Sequence, residues 1–190
     1  MDLTIRPLDP DCADDFLRFF DHEAFSDNPD WADCYCTFYH RTMPLSEWQT
    51  RTAARKRADA LSLIESGRMR GYLARDGAEV VGWCNANRKT AYPVLTEDLG
   101  LRSPDDPAIV SVVCFVIRPD RRRAGISARL LEAVVADARK TEGIRFVEAY
   151  PVKEAQTAAS NYHGYPIMYS RAGFEISAET ERLLIVRKAV

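Results

Sequence analysis

The sequence predicts an α/β domain, and three observations point to it. Ile109–Ile117 is apolar at both alternation phases, as expected of a strand covered on both faces. Ile126, Leu130, Leu131, Val134, Val135 and Ala138 then fall on one stripe of a helix that Gly143 ends. Upstream, Asp76-Gly77 joins two strand-like runs, residues 70–75 and 79–85, as a hairpin. With 190 residues, the chain is expected to form one domain, 1–190, with a sizeable core.

The remaining elements follow in order. Residues 3–8 read as a first strand ending among Pro7 and Pro10. Residues 11–20 have helical spacing, with Phe16, Leu17, Phe19 and Phe20 on the apolar face. One helix is expected over 46–65, opened by a Ser46–Gln49 capping box. Residues 145–150 read as a strand, 168–172 as a short helix stopped by Gly173, and 174–190 as a terminal hairpin. Two irregular stretches, 26–44 and 87–107, are too long for simple connections and are candidate binding loops.

Composition narrows the function classes. The chain is 46% hydrophobic and 28% charged, ordinary for a soluble protein. Basic residues number 26 and acidic ones 28, a net charge of -2, so no nucleic-acid partner is expected. The longest apolar run is too short to cross a bilayer, so no membrane partner is expected. The N-terminus has no secretory pattern, and five cysteines is an odd count, so reduced thiols in the cytoplasm are expected.

Arg121, Arg122 and Arg123 lie where a helix begins, the end that prefers negative charge. An anion bound to free backbone N–H groups and these arginines would resolve that conflict. Gly125 would let the ligand approach the backbone closely. A solvated arginine run on an exposed turn is the alternative reading. Neither a G-x4-G-K-[ST] nor a G-x-G-x-x-G motif occurs.

Residues 116–131, Val-Ile-Arg-Pro-Asp-Arg-Arg-Arg-Ala-Gly-Ile-Ser-Ala-Arg-Leu-Leu, resemble the acyl-CoA signature of the GNAT N-acetyltransferase superfamily. Arg122 matches its first position and Gly125 its central glycine, while Ser127 stands where the family usually has Gly or Ala. Met168-Tyr-Ser-Arg-Ala-Gly-Phe174 resembles the family's L-Y-x-x-x-G-F element. Here Tyr162 takes the place of a frequent Asn, with Asn161 one residue away.

The resemblance implies a mixed, mostly antiparallel sheet of about six to seven strands with helices on both faces. It implies an acetyl-CoA-dependent N-acetyltransferase that moves the acetyl group directly to a primary amine of a small molecule or peptide. The donor would be held by Phe115, Val116, Ile117, Arg122, Arg123, Ala124, Gly125, Ile126 and Ser127. Its pantetheine would run between the strands ending at Ile117 and Tyr150. Tyr169 would protonate the departing thiolate. Glu148 is the first candidate for the base that takes the amine's proton, with a pKa expected to rise on burial, and a substrate anchor or a structural ion-pair partner is the other reading. Asp33, His40 and Glu97 are weaker candidates.

The segment Trp31-Ala-Asp-Cys-Tyr-Cys-Thr-Phe-Tyr-His40 reads as an aromatic wall for the acceptor. Trp31, Tyr35 and Tyr39 are the expected contacts, joined by Asn85 and Asn87, for which turn formation at a strand end is the other reading. A structural aromatic cluster is the other reading. Cys34, Cys36 and His40 do not have standard zinc spacing, so no metal is expected. None of the cysteines sits in a nucleophile motif with its base, which favours direct transfer. The rivals are a non-catalytic acyl-CoA-binding regulatory module and a metal-binding interaction domain around Cys34, Cys36 and His40. The acceptor's identity and the choice between monomer and homodimer are left open.

Overall fold

The computed structural model describes residues 2–97, 106–154, 157 and 159–190, with backbone alone for 96, 97 and 159. The strands are β1 (Leu3–Pro7), β2 (Gly71–Asp76), β3 (Glu79–Arg88), β4 (Ile109–Ile117), β5 (Phe146–Ala149), β6 (Glu175–Glu179) and β7 (Leu184–Ala189). The helices are α1 (Ala13–His22), α2 (Leu45–Thr50), α3 (Ala53–Glu65), α4 (Pro93–Glu97), α5 (Ile126–Ala138) and α6 (Pro166–Arg171). The strands form one sheet in the order β1-β2-β3-β4-β5-β7-β6. Only β4 and β5 are parallel; every other pairing is antiparallel. The mixed, mostly antiparallel sheet is the one the resemblance implied.

Each face of the sheet buries its own core. Phe16, Phe19 and Phe20 of α1 and Ile64 of α3 pack with Leu73, Trp83 and Val113 on one side. Leu130, Leu131 and Val134 of α5 pack with Val81, Val112 and Phe115 on the other. The apolar stripe read from α5 is its buried set, Ile126 through Ala138. Helix α1 starts two residues later than expected, behind a short turn at Pro10–Cys12 capped by the Asp9 carboxylate. No helix among the described residues is long and apolar enough to cross a membrane.

The single helix expected over 46–65 is two helices. Thr52 caps α3 by accepting the Arg55 N–H at 3.3 Å, which ends α2 at Thr50. Ser46 lies inside the first turn of α2 and caps nothing; the cap position is Pro44. The break lets Arg51 pair with Asp59, and Trp48 donates its indole N–H to Thr37 Oγ1 at 3.2 Å.

Two irregularities in β4 shape the centre of the molecule. Cys114 pairs with Asn85 and Val112 with Ala86, so Val113 is an extra residue, a β-bulge. The bulge puts Val113 and Cys114 both toward the α1 side, while Phe115 faces α5. The second irregularity lies on the other edge of β4. Its pairing with β5 ends at Val112–Ala149, although β4 runs on to Ile117. Beyond Ala149 the chain stays with the terminal hairpin: Leu184 N–H donates to Pro151 O at 2.9 Å, and Val152 bridges Leu183. The open edge of β4 from Cys114 to Ile117 therefore faces a cleft.

Candidate active site

The cleft opens into a cavity of about 960 Å³ that runs along β4. At one end lies the turn into α5. Gly125, at φ +78°, caps the helix without any side-chain hydrogen bond, so the first N–H groups of α5 are left for another partner. A Cβ at this glycine would meet nothing within 4 Å. That open space, the helix N-terminus and Arg122 suit a diphosphate. Arg121, Arg122, Arg123, Gly125, Ile126 and Ser127 all line the cavity; Ala124 does not.

Arg122 already holds an anion, the protein's own. Its guanidinium forms a two-pronged pair with Asp27, one contact at 3.0 Å, and donates Nε–H to Ile117 O at 3.3 Å. The arginine holds the Asp27 carboxyl below its usual range. Arg121 is turned toward Asp76 and Asp120. The anion-binding reading of the turn thus has an internal stand-in, which sequence spacing alone did not reveal.

Along the open edge of β4, Phe115, Val116 and Ile117 line the cavity. The Phe115 N–H points off the open edge of β4 and donates to the Tyr162 carbonyl at 2.6 Å. The opposite wall is the segment around Asn161, Tyr162 and Gly164.

The far end is aromatic and acidic. Trp31, Phe38, Tyr39, Trp48 and Tyr162 line it with Asp30 and Asp33. Asp33 pairs at 2.8 Å with buried Lys56, whose ammonium lies 4.1 Å from the Trp48 ring centre. Tyr39 Oη lies 3.0 Å from His163 Nε2 and 3.4 Å from Tyr162 Oη. Burial lowers the His163 pKa to about 3, so the ring is neutral at pH 7.

Of the four expected acceptor contacts, Trp31 and Tyr39 line the cavity and Tyr35 and Asn85 do not. The Tyr35 hydroxyl donates to Asp21 at 2.7 Å, and its ring stacks on Phe20. Burial, then Asp21, push that phenol up to about 12. Asn85 is wholly buried behind Cys36. Asn87 donates to the Arg68 carbonyl. His40 is buried among Asn85 and Tyr92, its pKa lowered to about 4 by burial. Among the described residues no three His, Cys, Asp or Glu side chains converge to hold a metal. The Glu97 side chain lies outside the described residues.

Glu148 corrects an expectation. It is wholly buried but does not line the cavity. Lys89 Nζ (2.6 Å) and the Tyr150 hydroxyl (2.6 Å) donate to one oxygen, and Arg187 Nε (2.5 Å) to the other. Burial alone would raise its pKa, but these donors outweigh it and the carboxyl lies below its ordinary value, the reverse of the expected shift. Both oxygens are engaged, as in the ion-pair reading of this carboxylate.

Tyr169 sits one layer behind the cavity wall. It is wholly buried, contacts Phe174 edge-on, and donates its hydroxyl to the His163 carbonyl at 2.5 Å. Gly164, which does line the cavity, separates them: a Cβ there would lie 3.2 Å from the Tyr169 hydroxyl.

A splayed central strand, an uncapped helix start with arginines, and a long cleft between them meet in one site. The family model described as the GNAT acetyltransferase family matches residues 22–165, and the chain belongs to that family. Similar solved structures include an acetyltransferase from Thermus thermophilus, with TM-score 0.58 and 19% identity, covering 100% of this chain and 98% of that one. The GNAT domain of S. lividans PAT gives TM-score 0.59 and 19% identity, covering 98% of this chain and 89% of that one. The yncA acetyltransferase structure from Salmonella typhimurium, which carries its cofactor acetyl-CoA, gives TM-score 0.56 and 15% identity, covering 100% and 94%. A search of curated proteins found no match.

Proposed function

We propose that this acyltransferase moves an acetyl group from acetyl-CoA directly to a primary amine, in a ternary complex. The observation that carries the reading is the continuity of the cavity. It runs from the turn at Arg122 and Ser127, past the open edge of β4, to an aromatic end holding Asp30 and Asp33. Acyl-CoA use is supported by the family match and by the acetyl-CoA carried by the yncA structure. Aromatic faces and carboxylates suit a cationic amine, a small molecule or an exposed peptide amine. Unpaired cysteines, Cys12, Cys34, Cys36, Cys84 and Cys114, suit the reducing cytoplasm.

In this reading the pyrophosphate displaces Asp27 from Arg122 and takes the free N–H groups of α5. The pantetheine lies along Phe115 to Ile117. The thioester carbonyl takes the Phe115 N–H from Tyr162, which stabilises the oxyanion as the amine attacks. That exchange shifts the segment carrying His163, freeing the Tyr169 hydroxyl to protonate the departing thiolate. The test is thiol release from acetyl-CoA across a panel of amines. Amine-dependent release with stoichiometric N-acetyl product is expected; acetyl-CoA binding without release for any amine would favour the non-catalytic binding module.

A further inference from the structure

With Glu148 saturated, the amine's proton needs another acceptor, and one sulfur at the acceptor end is built to hold negative charge. Cys34, Cys36 and Cys114 all line the cavity, beside Phe115 and Tyr39. Cys36 is held with positive φ (+53°), and its neighbour Tyr35 likewise (+42°), a conformation unfavourable for side chains with a Cβ. Asn85 Nδ2 donates to the Cys36 sulfur at 3.3 Å. The amide cannot turn over without loss, because Tyr92 donates its hydroxyl to Asn85 Oδ1 at 2.6 Å. Cys114 lines the cavity beside Cys36. The wholly buried Trp83 indole N–H has no hydrogen-bond partner among the described residues.

We propose that Cys36 is a catalytic residue of this reaction, the thiolate that accepts the acceptor amine's proton at the floor of the cavity. The proposal rests on the acyltransfer reading above. The acceptor arrives as R–NH3+ and gives one proton to the Cys36 sulfur, leaving R–NH2 and a neutral thiol. The nitrogen then bonds to the acyl carbon, the carbon–sulfur bond to CoA breaks, and a second N–H proton ends on the CoA thiolate. Cys36 returns its own proton to solvent. No bond to the Cys36 sulfur forms.

The surroundings single out this thiol. From its own segment Cys34, Tyr39 and His40 are near, with the Lys56–Asp33 pair beyond Cys34. From β3 come Trp83, Cys84 and Asn85, from the turn after it Tyr92, and from β4 Cys114. Burial raises Cys34, to about 12, and Cys84, and the neighbouring Cys36 sulfur, then burial, raises Cys114; Cys36 lies below its ordinary value despite burial, with Cys114, Trp83 and Asn85 against it. Neutral His40 and undissociated Tyr39 and Tyr92 add no competing charge.

The decisive experiment is the pH dependence of iodoacetamide alkylation at Cys36 in the wild-type protein, read by peptide mass spectrometry. A midpoint below the ordinary thiol range is expected, with protection by acetyl-CoA plus an active amine. A midpoint at or above pH 9 overturns the proposal. In Cys36→Ser, turnover should fall about 100-fold and the acidic limb of the kcat/KM profile should vanish, with acetyl-CoA affinity within about twofold of wild type. An unchanged limb, or an acetyl group found on Cys36 during turnover, also overturns it. Should Cys36→Ser fail to fold, the wild-type alkylation profile decides alone. If Cys36 titrates low but no amine accelerates thiol release, the acyltransfer reading fails and the thiolate stands.

Discussion

Two buried polar clusters flank β4, one along its β3 edge and one along its β5 edge, and they differ in how completely they are satisfied. Around Glu148, both oxygens are taken by Lys89, Tyr150 and Arg187, and Ser111 completes the set by bonding Tyr150 at 2.7 Å. Around Cys36, an indole N–H is left over and the sulfur opens onto the cavity. A saturated network resists change and fixes the sheet; an under-satisfied one beside a cavity has capacity for chemistry. Both clusters are buried and polar, so neither feature alone separates structure from function.

The largest test of that contrast is Glu148→Gln. It should cost about 3–5 kcal/mol by leaving buried Lys89 uncompensated. Chemical denaturation would measure the loss, and the pH profile of surviving activity should keep its limbs. Next in size, Tyr169→Phe should lower turnover about 100-fold, the equivalent of about 2.7 kcal/mol, with acetyl-CoA affinity nearly unchanged. Single-turnover rates would show it; an unchanged chemical step would remove Tyr169 from the reaction.

Acid stability comes next. His40 stays neutral in the folded protein down to about pH 4, whereas the unfolded chain protonates it near 6.5. The unfolded state therefore binds more protons as pH falls, and stability is lost from about 6.5 downward, roughly 2 kcal/mol by pH 5 from this ring. His163, lowered to about 3, acts in the same direction. Glu148 adds its loss only below the ordinary carboxylate range, because its folded pKa is depressed. Thermal melts across pH 4–7 should reveal the histidine phase first; a flat profile down to pH 5 would contradict it. Smallest in stability, Asn85→Ala should cost about 1 kcal/mol by stranding the Tyr92 hydroxyl, while raising the Cys36 alkylation midpoint.

How far the sequence could be read follows the same division. β4 and α5 were legible because apolar periodicity is local, and their bounds match the pattern. Arg122 and Gly125 were legible because strand, turn and helix start are contiguous. The break between α2 and α3 was missed because Thr52 competes with Ser46 as a cap, and spacing alone does not choose. The partners of Glu148, which reverse its expected pKa shift, are long-range: Lys89 lies 59 residues away and Arg187 39, so no local pattern shows both oxygens taken. Cys36 and Asn85 are 49 residues apart, and Asp27 and Arg122 are 95. Tyr162 did carry a signal, as the departure from the family's Asn, and it lies on the cavity wall with its carbonyl on Phe115.

The central claim is direct transfer inside one cavity, with Cys36 carrying a proton and never the acyl group. Initial rates with acetyl-CoA and an active amine, both varied, test it most directly. Intersecting double-reciprocal lines, with no acetylated protein in the quenched mixture, are predicted. Parallel lines with an acetyl group on Cys36 would contradict it.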